Sequence, residues 1–182
     1  MKLLALASLP AMALSLTAPG SPITAQFQVG PNNDPTDTSG CHGEITMLTY
    51  ANGMNVIKWD LQNCGRKGYH GFHIHSVADF SDGCGSTGGH FNPTSEEHGG
   101  TKDQIRHVGD IPQIYVDENG NAKGISEDSK AILNGEFSVV GKPLVIHEGQ
   151  DDEGEGGEEC SKSNGCAGAR IACGTVKLVG RQ

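Results

Sequence analysis

Hydrophobic and polar residues alternate in several short runs along the chain. Within residues 55–61, Ile57, Trp59 and Leu61 are each separated by a charged residue. This two-residue period is typical of a strand with one buried face. An Asn-Gly pair separates this segment from a preceding β-rich run at 45–50, so the two runs together predict a hairpin.

Further runs of strand character are separated by turn signals or by long polar segments. They cover residues 23–29, 69–75, 108–116, 122–126, 143–147 and 171–179. Two segments without periodicity interrupt them: 76–106 is crowded with Gly, Ser, Asp and His, and 148–168 is acidic and rich in glycine. The pattern predicts an all-β domain of about eight short antiparallel strands, a sandwich or barrel without a long helix. Loops of this length are typical of functional segments.

The first twenty residues differ from the rest of the chain. An apolar run follows Lys2, the only charge in residues 1–20, and it is too short to span a bilayer, which needs ~20 apolar residues. The segment is predicted to be a secretory signal peptide. Cleavage after Ala18 and cleavage after Ala25 both fit, and the sequence does not choose between them. Residues 21–182 are predicted to form one domain without a membrane segment.

Composition narrows the setting in which this domain works. The chain has 182 residues and a formal charge of −9, which argues against a nucleic acid or an anionic membrane as a partner. Its 6 cysteines follow a predicted export signal, and disulfides persist in exported proteins. Six cysteines allow about fifteen pairings, and their spacing alone does not select one.

Histidines are concentrated in the middle of the chain. His73 and His75 flank one residue of a predicted strand, so their side chains point to the same face. His147 ends the apolar run at 143–147 and is positioned to join them. A set of nitrogen donors alone suits a copper ion.

A second group of candidate ligands lies in the long loop and at its end. His90, His98 and His107 are followed by Asp110. Three imidazoles and one carboxylate make a complete tetrahedral set for zinc. A long loop without regular structure also needs something to hold it in place, and a bound ion would do so. This group therefore predicts a zinc site.

Six motifs in the chain resemble those of the copper/zinc superoxide dismutase family, in the same order and at matching spacing from about residue 42 to residue 180. They are GFHIH at 71–75, GGHFNP at 88–93, HGG at 98–100, RHVGD at 106–110, VIHE at 145–148 and GARIACG at 168–174. The resemblance implies a Greek-key β-barrel of eight antiparallel strands.

The resemblance also implies a role for each matching residue. Copper is expected to bind His73, His75, His90 and His147, and zinc is expected to bind His90, His98, His107 and Asp110. His90 would then bridge the two ions, which the two nitrogens of one imidazole ring allow. Asp151 matches the carboxylate that links His73 to His98. Arg170 matches the arginine at the mouth of the copper channel, where a cation attracts a small anion.

The function implied by the resemblance is a secreted superoxide dismutase active in antioxidant defence. It would convert superoxide to O₂ and H₂O₂ by redox cycling of copper, with His90 and Arg170 as its catalytic residues and with zinc in a structural role. A homodimer is expected, with contacts near Gly141, Ile171 and the tail after Cys173.

The resemblance implies a Cys84–Cys173 bridge as well. The remaining four cysteines are not part of the family pattern. Cys41 and Cys64 lie opposite each other in the predicted hairpin, so we predict that they pair. This leaves Cys160 and Cys166 to pair within the acidic loop. Lys162 is the only cation in that loop before Arg170, which makes it a candidate for guiding an anionic substrate.

Other functions fit the sequence less well. A copper-storage protein of the same fold would not need the channel arginine, and a copper-only dismutase would not need the zinc ligands. A zinc hydrolase is disfavoured because the HExxH pattern is absent from the sequence. A purely structural β-domain would explain the cysteines and leave the ordered histidines unexplained.

Overall fold

Residues 21–180 are described by a computed structural model, and the predicted signal peptide, residues 1–20, lies outside them. The order of strands is β1 (Ile23–Val29), β2 (His42–Thr49), β3 (Asn55–Gln62), β4 (Gly68–His70), β5 (Phe72–Ile74), β6 (Ser81–Cys84), β7 (Ile114–Val116), β8 (Ala122–Asp128), β9 (Pro143–His147) and β10 (Arg170–Thr175). A 3₁₀ turn, Pro31–Asn33, follows β1, and one short helix, α1 (Ser161–Asn164), precedes β10.

The strands form antiparallel sheets that close around one apolar core. The first sheet has the order β1-β2-β3-β8, and the second has the order β10-β9-β5. Strands β4 and β7 make a separate pair. Bridges from Ala25 to Leu178 and from Gly30 to Cys173 join β1 to the chain around β10. These contacts bring the two larger sheets together, and the all-β barrel expected from the sequence is confirmed.

Alternation along β3 explains how this core is filled. Ile57 and Leu61 are at most 1% exposed, and the charged residues between them face solvent. Trp59 points inward and makes an edge-to-face contact with Phe72 of the second sheet, with ring centroids 6.0 Å apart. One face of each sheet is therefore apolar because the period of the sequence matches the period of the strand.

The predicted strands differ from the observed ones at several places, and three of the differences have a local reason. The run at 69–75 is broken at Gly71, where an added Cβ would lie 2.6 Å from the side chain of Ala167. Only the end of the run at 108–116 is a strand, because the residues before Ile114 turn around the side chain of Asp110. Strand β6 was not predicted, since Gly, Ser and Asp carry no strand signal.

Three disulfide bridges constrain the β2–β3 hairpin and the two long loops. Cys41–Cys64 joins the open end of the β2–β3 hairpin, Cys84–Cys173 joins the long loop to β10, and Cys160–Cys166 closes a ring within the acidic loop. Neither helical segment in residues 21–180 has the length and the apolar composition that crossing a membrane requires.

Candidate metal centre

Four histidines from separate parts of the chain meet at one end of the second sheet. They are called the nitrogen cluster here: His73, His75, His90 and His147. All four are buried, and one ring nitrogen from each lies within 4.8 Å of the others. Pairing of β5 with β9 brings the first two to His147, and an isolated bridge between His75 and His90 attaches the loop.

A second group, the carboxylate cluster, surrounds one oxygen atom. It consists of His90, His98, His107 and Asp110, all buried. Oδ1 of Asp110 lies 2.8 Å from Nδ1 of His90 and 3.0 Å from Nδ1 of both His98 and His107. Oδ2 accepts the backbone N–H of His107 at 2.8 Å. The carboxylate is therefore fixed by the turn that also carries one of the histidines.

The two clusters share His90, and its two ring nitrogens face different groups. Nδ1 lies against Asp110, whereas Nε2 is buried without a hydrogen-bond partner. Nδ1 of His73 is likewise buried without a partner. Burying an unpaired polar atom costs roughly 1–3 kcal/mol. Bare ring nitrogens that converge in this way fit two metal ions, one held by nitrogens and one by nitrogens and a carboxylate.

Asp151 links the clusters from behind. Its Oδ2 accepts a hydrogen bond from Nε2 of His73 at 2.7 Å, and its Oδ1 accepts one from Nε2 of His98 at 2.8 Å. Both imidazoles are thereby fixed with Nδ1 turned toward their clusters. Metal-binding histidines in proteins are oriented by carboxylates in this manner.

Burial keeps the nitrogen cluster uncharged. It lowers the pKa of His73 to about 3, of His75 to about 2 and of His147 to about 4, and the neighbouring histidines add to the effect. Hydrogen bonds to Asp151 and to backbone carbonyls oppose these shifts without reversing them. The lone pairs of these rings are therefore free for a metal at neutral pH.

The carboxylate cluster behaves differently. Burial by itself would lower the pKa of His98, but the carboxylates of Asp110 and Asp151 outweigh it and raise that pKa to about 9. Burial would also raise the pKa of Asp110, yet hydrogen bonds from three imidazoles hold it far below its usual range. Negative charge fixed at this position favours a cation.

A channel leads from the surface to the nitrogen cluster. Its lining includes His75, His90, His147 and Arg170, and residues of the acidic loop between Cys160 and Gly168 complete the wall. The Arg170 guanidinium donates to the carbonyls of Cys84 and Gly85 at 3.0 and 2.8 Å, and to that of Gly88 at 2.6 Å. A cation is thus fixed beside the histidines. Lys162 is placed elsewhere, with its Nζ 3.9 Å from Glu97.

Two residues of the site carry no sequence signal. Thr87 accepts a hydrogen bond from Arg170 at 3.0 Å and lies 3.3 Å from Nδ1 of His75. Gln113 holds the backbone of Asp151, since its Nε2 donates to the carbonyl at 3.1 Å and its Oε1 accepts the N–H at 3.0 Å. A lone Thr or Gln in a loop indicates nothing by its type, so only the structure identifies these contacts.

Comparison with known proteins agrees with this geometry. A family model described as "Copper/zinc superoxide dismutase (SODC)" matches residues 41–176. A solved structure entitled "Crystal Structure Analysis of the clock protein EA4" superposes with a TM-score of 0.79. The two chains are 32% identical over 90% of this chain and 99% of that chain. The match to the family model includes every member of both clusters.

Proposed function

Because the chain belongs to the copper/zinc superoxide dismutase family, we propose that its nitrogen cluster binds copper and its carboxylate cluster binds zinc. The family's activity makes this chain an oxidoreductase that acts on superoxide, with copper and zinc as its cofactors. The observation that carries the assignment is His90. One of its nitrogens lies in each cluster, and the nitrogen on the copper side has no other partner.

Bound copper supplies the one-electron chemistry that turns two superoxide anions and two protons into O₂ and H₂O₂. Arg170 attracts the anion and orients it beside the histidines that line the channel. His90 holds and delivers a proton at Nε2, the atom that faces the nitrogen cluster. His73 would hold copper as a member of that cluster, and Asp151, which is buried behind it, orients the His73 ring.

Zinc binding is proposed to stabilise the long loop. His98 and His107 are separated by nine positions in a segment without regular structure, and Asp110 gathers both of them around one oxygen. A cation at this position compensates the buried carboxylate and joins the loop to the barrel. This role requires no open channel, and the cluster is buried throughout.

We propose further that the protein is secreted and acts in antioxidant defence. The support is an apolar N-terminal segment and three disulfides, because disulfides persist outside the cytosol. N-terminal sequencing of protein recovered from the culture medium should give a start at Pro19 or at Gln26. Recovery only from the cell interior, with Met1 intact, would contradict the proposal.

A homodimer is proposed through the face formed by Gly141, Ile171 and the tail after Cys173. Val179 in that tail is 54% exposed, and pairing would cover it. Light scattering of the purified protein should give twice the mass of one chain. A mass equal to one chain across the working concentration range would contradict the dimer.

The decisive experiment measures metal content and superoxide consumption on the same sample. About one copper and one zinc per chain, with dismutation, is expected from four donors per site. His73→Ala should lose copper and activity, and His98→Ala should lose zinc first. His42→Ala removes a histidine that lies outside both clusters, so it should change neither.

Two outcomes would contradict the assignment in different ways. Full occupancy of both sites without dismutation would indicate a metal-storage protein on this fold. Zinc without copper, even after copper is supplied, would mean that the nitrogen cluster is not a copper site.

A further inference from the structure

The acidic loop contains a small ring closed by the Cys160–Cys166 bridge. The ring contains the helical turn α1. This turn is capped at its C-terminal end by Gly165, whose φ of 64° lies in the left-handed region. One turn of helix is not stable by itself, because nucleation fixes several residues for one hydrogen bond. The covalent bridge therefore supplies the constraint that the turn lacks.

The inner side of the ring supports the metal centre. The carbonyl of Lys162 accepts the backbone N–H of His98 at 3.0 Å, and the carbonyl of Gly165 accepts that of Asp152 at 2.9 Å. Ser161 donates its hydroxyl to the Asp152 carboxylate at 2.6 Å. These contacts fix the backbone on both sides of the bond between His98 and Asp151.

Packing at Gly165 is closest of all. A Cβ added there would overlap the carboxylate of Asp151 and lie 2.6 Å from Nε2 of His98. The ring backbone thus lies directly against the hydrogen bond that orients a zinc-binding histidine. Any shift of the ring changes the space available to that bond.

The outer side of the same ring forms part of the channel wall. Cys160, Ser163, Asn164 and Cys166 all line the channel, opposite the histidines of the nitrogen cluster. Both cysteines are partly exposed, so a small thiol in solvent reaches the bridge. The bridge is therefore accessible from the channel while its ring supports the zinc side.

We propose that the Cys160–Cys166 bridge is a positioning element of the metal centre, which holds Gly165 against the Asp151–His98 pair and keeps zinc in place. The inference rests on the proposed metal assignment. Opening the bridge takes two electrons and two protons from a dithiol, which becomes a disulfide, and yields two thiols. The freed turn then loosens the contacts behind His98.

The test compares two pairs of substitutions in the full, copper- and zinc-loaded protein. Cys160→Ser with Cys166→Ser removes the ring closure, and Cys41→Ser with Cys64→Ser removes a bridge that does not line the channel or contact either cluster. Zinc release to a chromogenic chelator should be about tenfold faster in the first variant, since groups behind metal ligands typically change affinity by 10–100-fold. The second variant should release zinc at the wild-type rate.

Cobalt placed in the zinc site gives a second, spectroscopic reading. Its visible absorption reports ligand geometry, so it should shift in the first variant and stay unchanged in the second. Superoxide consumption is recorded in parallel. A wild-type protein that binds neither metal would overturn the metal assignment, whereas normal metal binding with equal zinc release in all three proteins would overturn only the role of the bridge.

Selective reduction covers the case in which the first variant does not fold. A dithiol is titrated into the wild-type protein, and alkylation followed by mass mapping identifies the bridge that opens. Zinc release should accelerate as Cys160 and Cys166 become alkylated, and reoxidation of an unalkylated sample should restore the slow rate. An open bridge with unchanged zinc release would overturn the inference.

Discussion

Arg170 owes its fixed position to oxygens of the loop that precedes β7. Its two terminal nitrogens contact Cys84, Gly85, Thr87 and Gly88, so the charge cannot swing away from the channel. A planar guanidinium is suited to several oxygens at once, whereas a lysine ammonium is a mobile point charge. The residue therefore contributes both charge and direction.

Replacing this charge should slow capture of superoxide. Arg170→Gln is expected to lower kcat/KM by roughly tenfold, because local charge raises association rates by 10–10³. Arg170→Lys should have a kcat/KM between those of the wild type and Arg170→Gln, since it keeps the charge and loses the fixed geometry. Stopped-flow superoxide decay checks this, with metal content measured on each sample. Equal kcat/KM in all three proteins would contradict the role of Arg170.

Gln113 shows how a neutral side chain supports a charged site. It makes two hydrogen bonds to the backbone of Asp151, which fixes the residue that orients His73 and His98. Since the chain around Asp151 has no regular structure, this amide replaces the contacts that a strand would provide.

Loss of that amide should destabilise the loop. Gln113→Leu leaves a donor and an acceptor of Asp151 without their partner, which is expected to lower the free energy of unfolding by about 1–3 kcal/mol. Gln113→Asn keeps the chemistry with a shorter reach and serves as the control for amide length. Urea unfolding of the metal-free, disulfide-intact protein measures both. An unchanged urea midpoint in Gln113→Leu would show that the two hydrogen bonds of Gln113 do not contribute to stability.

Strands β3 and β8 are paired at a position where one residue is large and the other has no side chain. Trp59 lies opposite Gly124 in the antiparallel register, and a Cβ at Gly124 would overlap the indole ring. The glycine makes room for a side chain that fills the barrel and reaches Phe72. A large side chain on β3 is thus paired with a glycine on β8, so that only one side chain occupies this part of the core.

Adding a side chain at Gly124 should destabilise the fold, and the loss of stability should depend on the size of the ring of Trp59. Gly124→Ala is expected to lower the free energy of unfolding by about 1–3 kcal/mol, as overpacking of a tight core does. In a Trp59→Phe background the same change should cost less, because the smaller ring leaves space. A double-mutant cycle by urea unfolding gives the coupling, and strict additivity would contradict the packing argument.

Strands with a clear period were predictable, and elements built by loops were not. The alternation in β3 and the apolar run of β9 predict their strands because burial of one or both faces decides the residue types there. Strand β6 is fastened by the bridge at Cys84, and the turn before Ile114 is gathered by Asp110. Such elements depend on contacts between distant residues, and local pattern does not record them.

The residues of the site divide in the same way, into those that the sequence predicts and those that only the structure identifies. Histidine spacing and the family motifs predicted both clusters, because a ligand must be a particular residue type at a particular place. Gln113 and Gly165 act through backbone contacts, and many residue types in a loop make such contacts. Their roles emerge only when the acidic loop is seen folded against the long loop.

For the whole molecule, an anionic substrate meets a protein with a formal charge of −9. The acidic loop adds exposed Glu155, Glu158 and Glu159, of which Glu159 directly precedes Cys160 in the channel wall. Such charges oppose Arg170 at long range, and salt screens them over about 10 Å at 0.1 M. The rate of capture is therefore a balance between one close cation and several more distant anions.

This balance predicts an increase in rate when one anion of the loop is removed. Glu159→Gln should raise kcat/KM by about twofold at low ionic strength, since a unit charge ~10 Å away contributes about 0.4 kcal/mol in water. Glu44→Gln changes the net charge equally in β2, outside the acidic loop, and should have a smaller effect. At about 1 M salt the difference should vanish. Equal rates for both variants at low salt would contradict local steering.

The order of the cluster residues along the chain has a consequence for biosynthesis. All members of both clusters lie between His73 and His147, yet β9 carries His147 into a sheet whose other edge is β10, Arg170–Thr175. His147 therefore leaves the ribosome before the strand that completes its sheet. A nascent chain that stops short of β10 has every donor atom of both clusters but lacks one strand of the sheet that carries His147, so the folded site forms only after β10 has been synthesised.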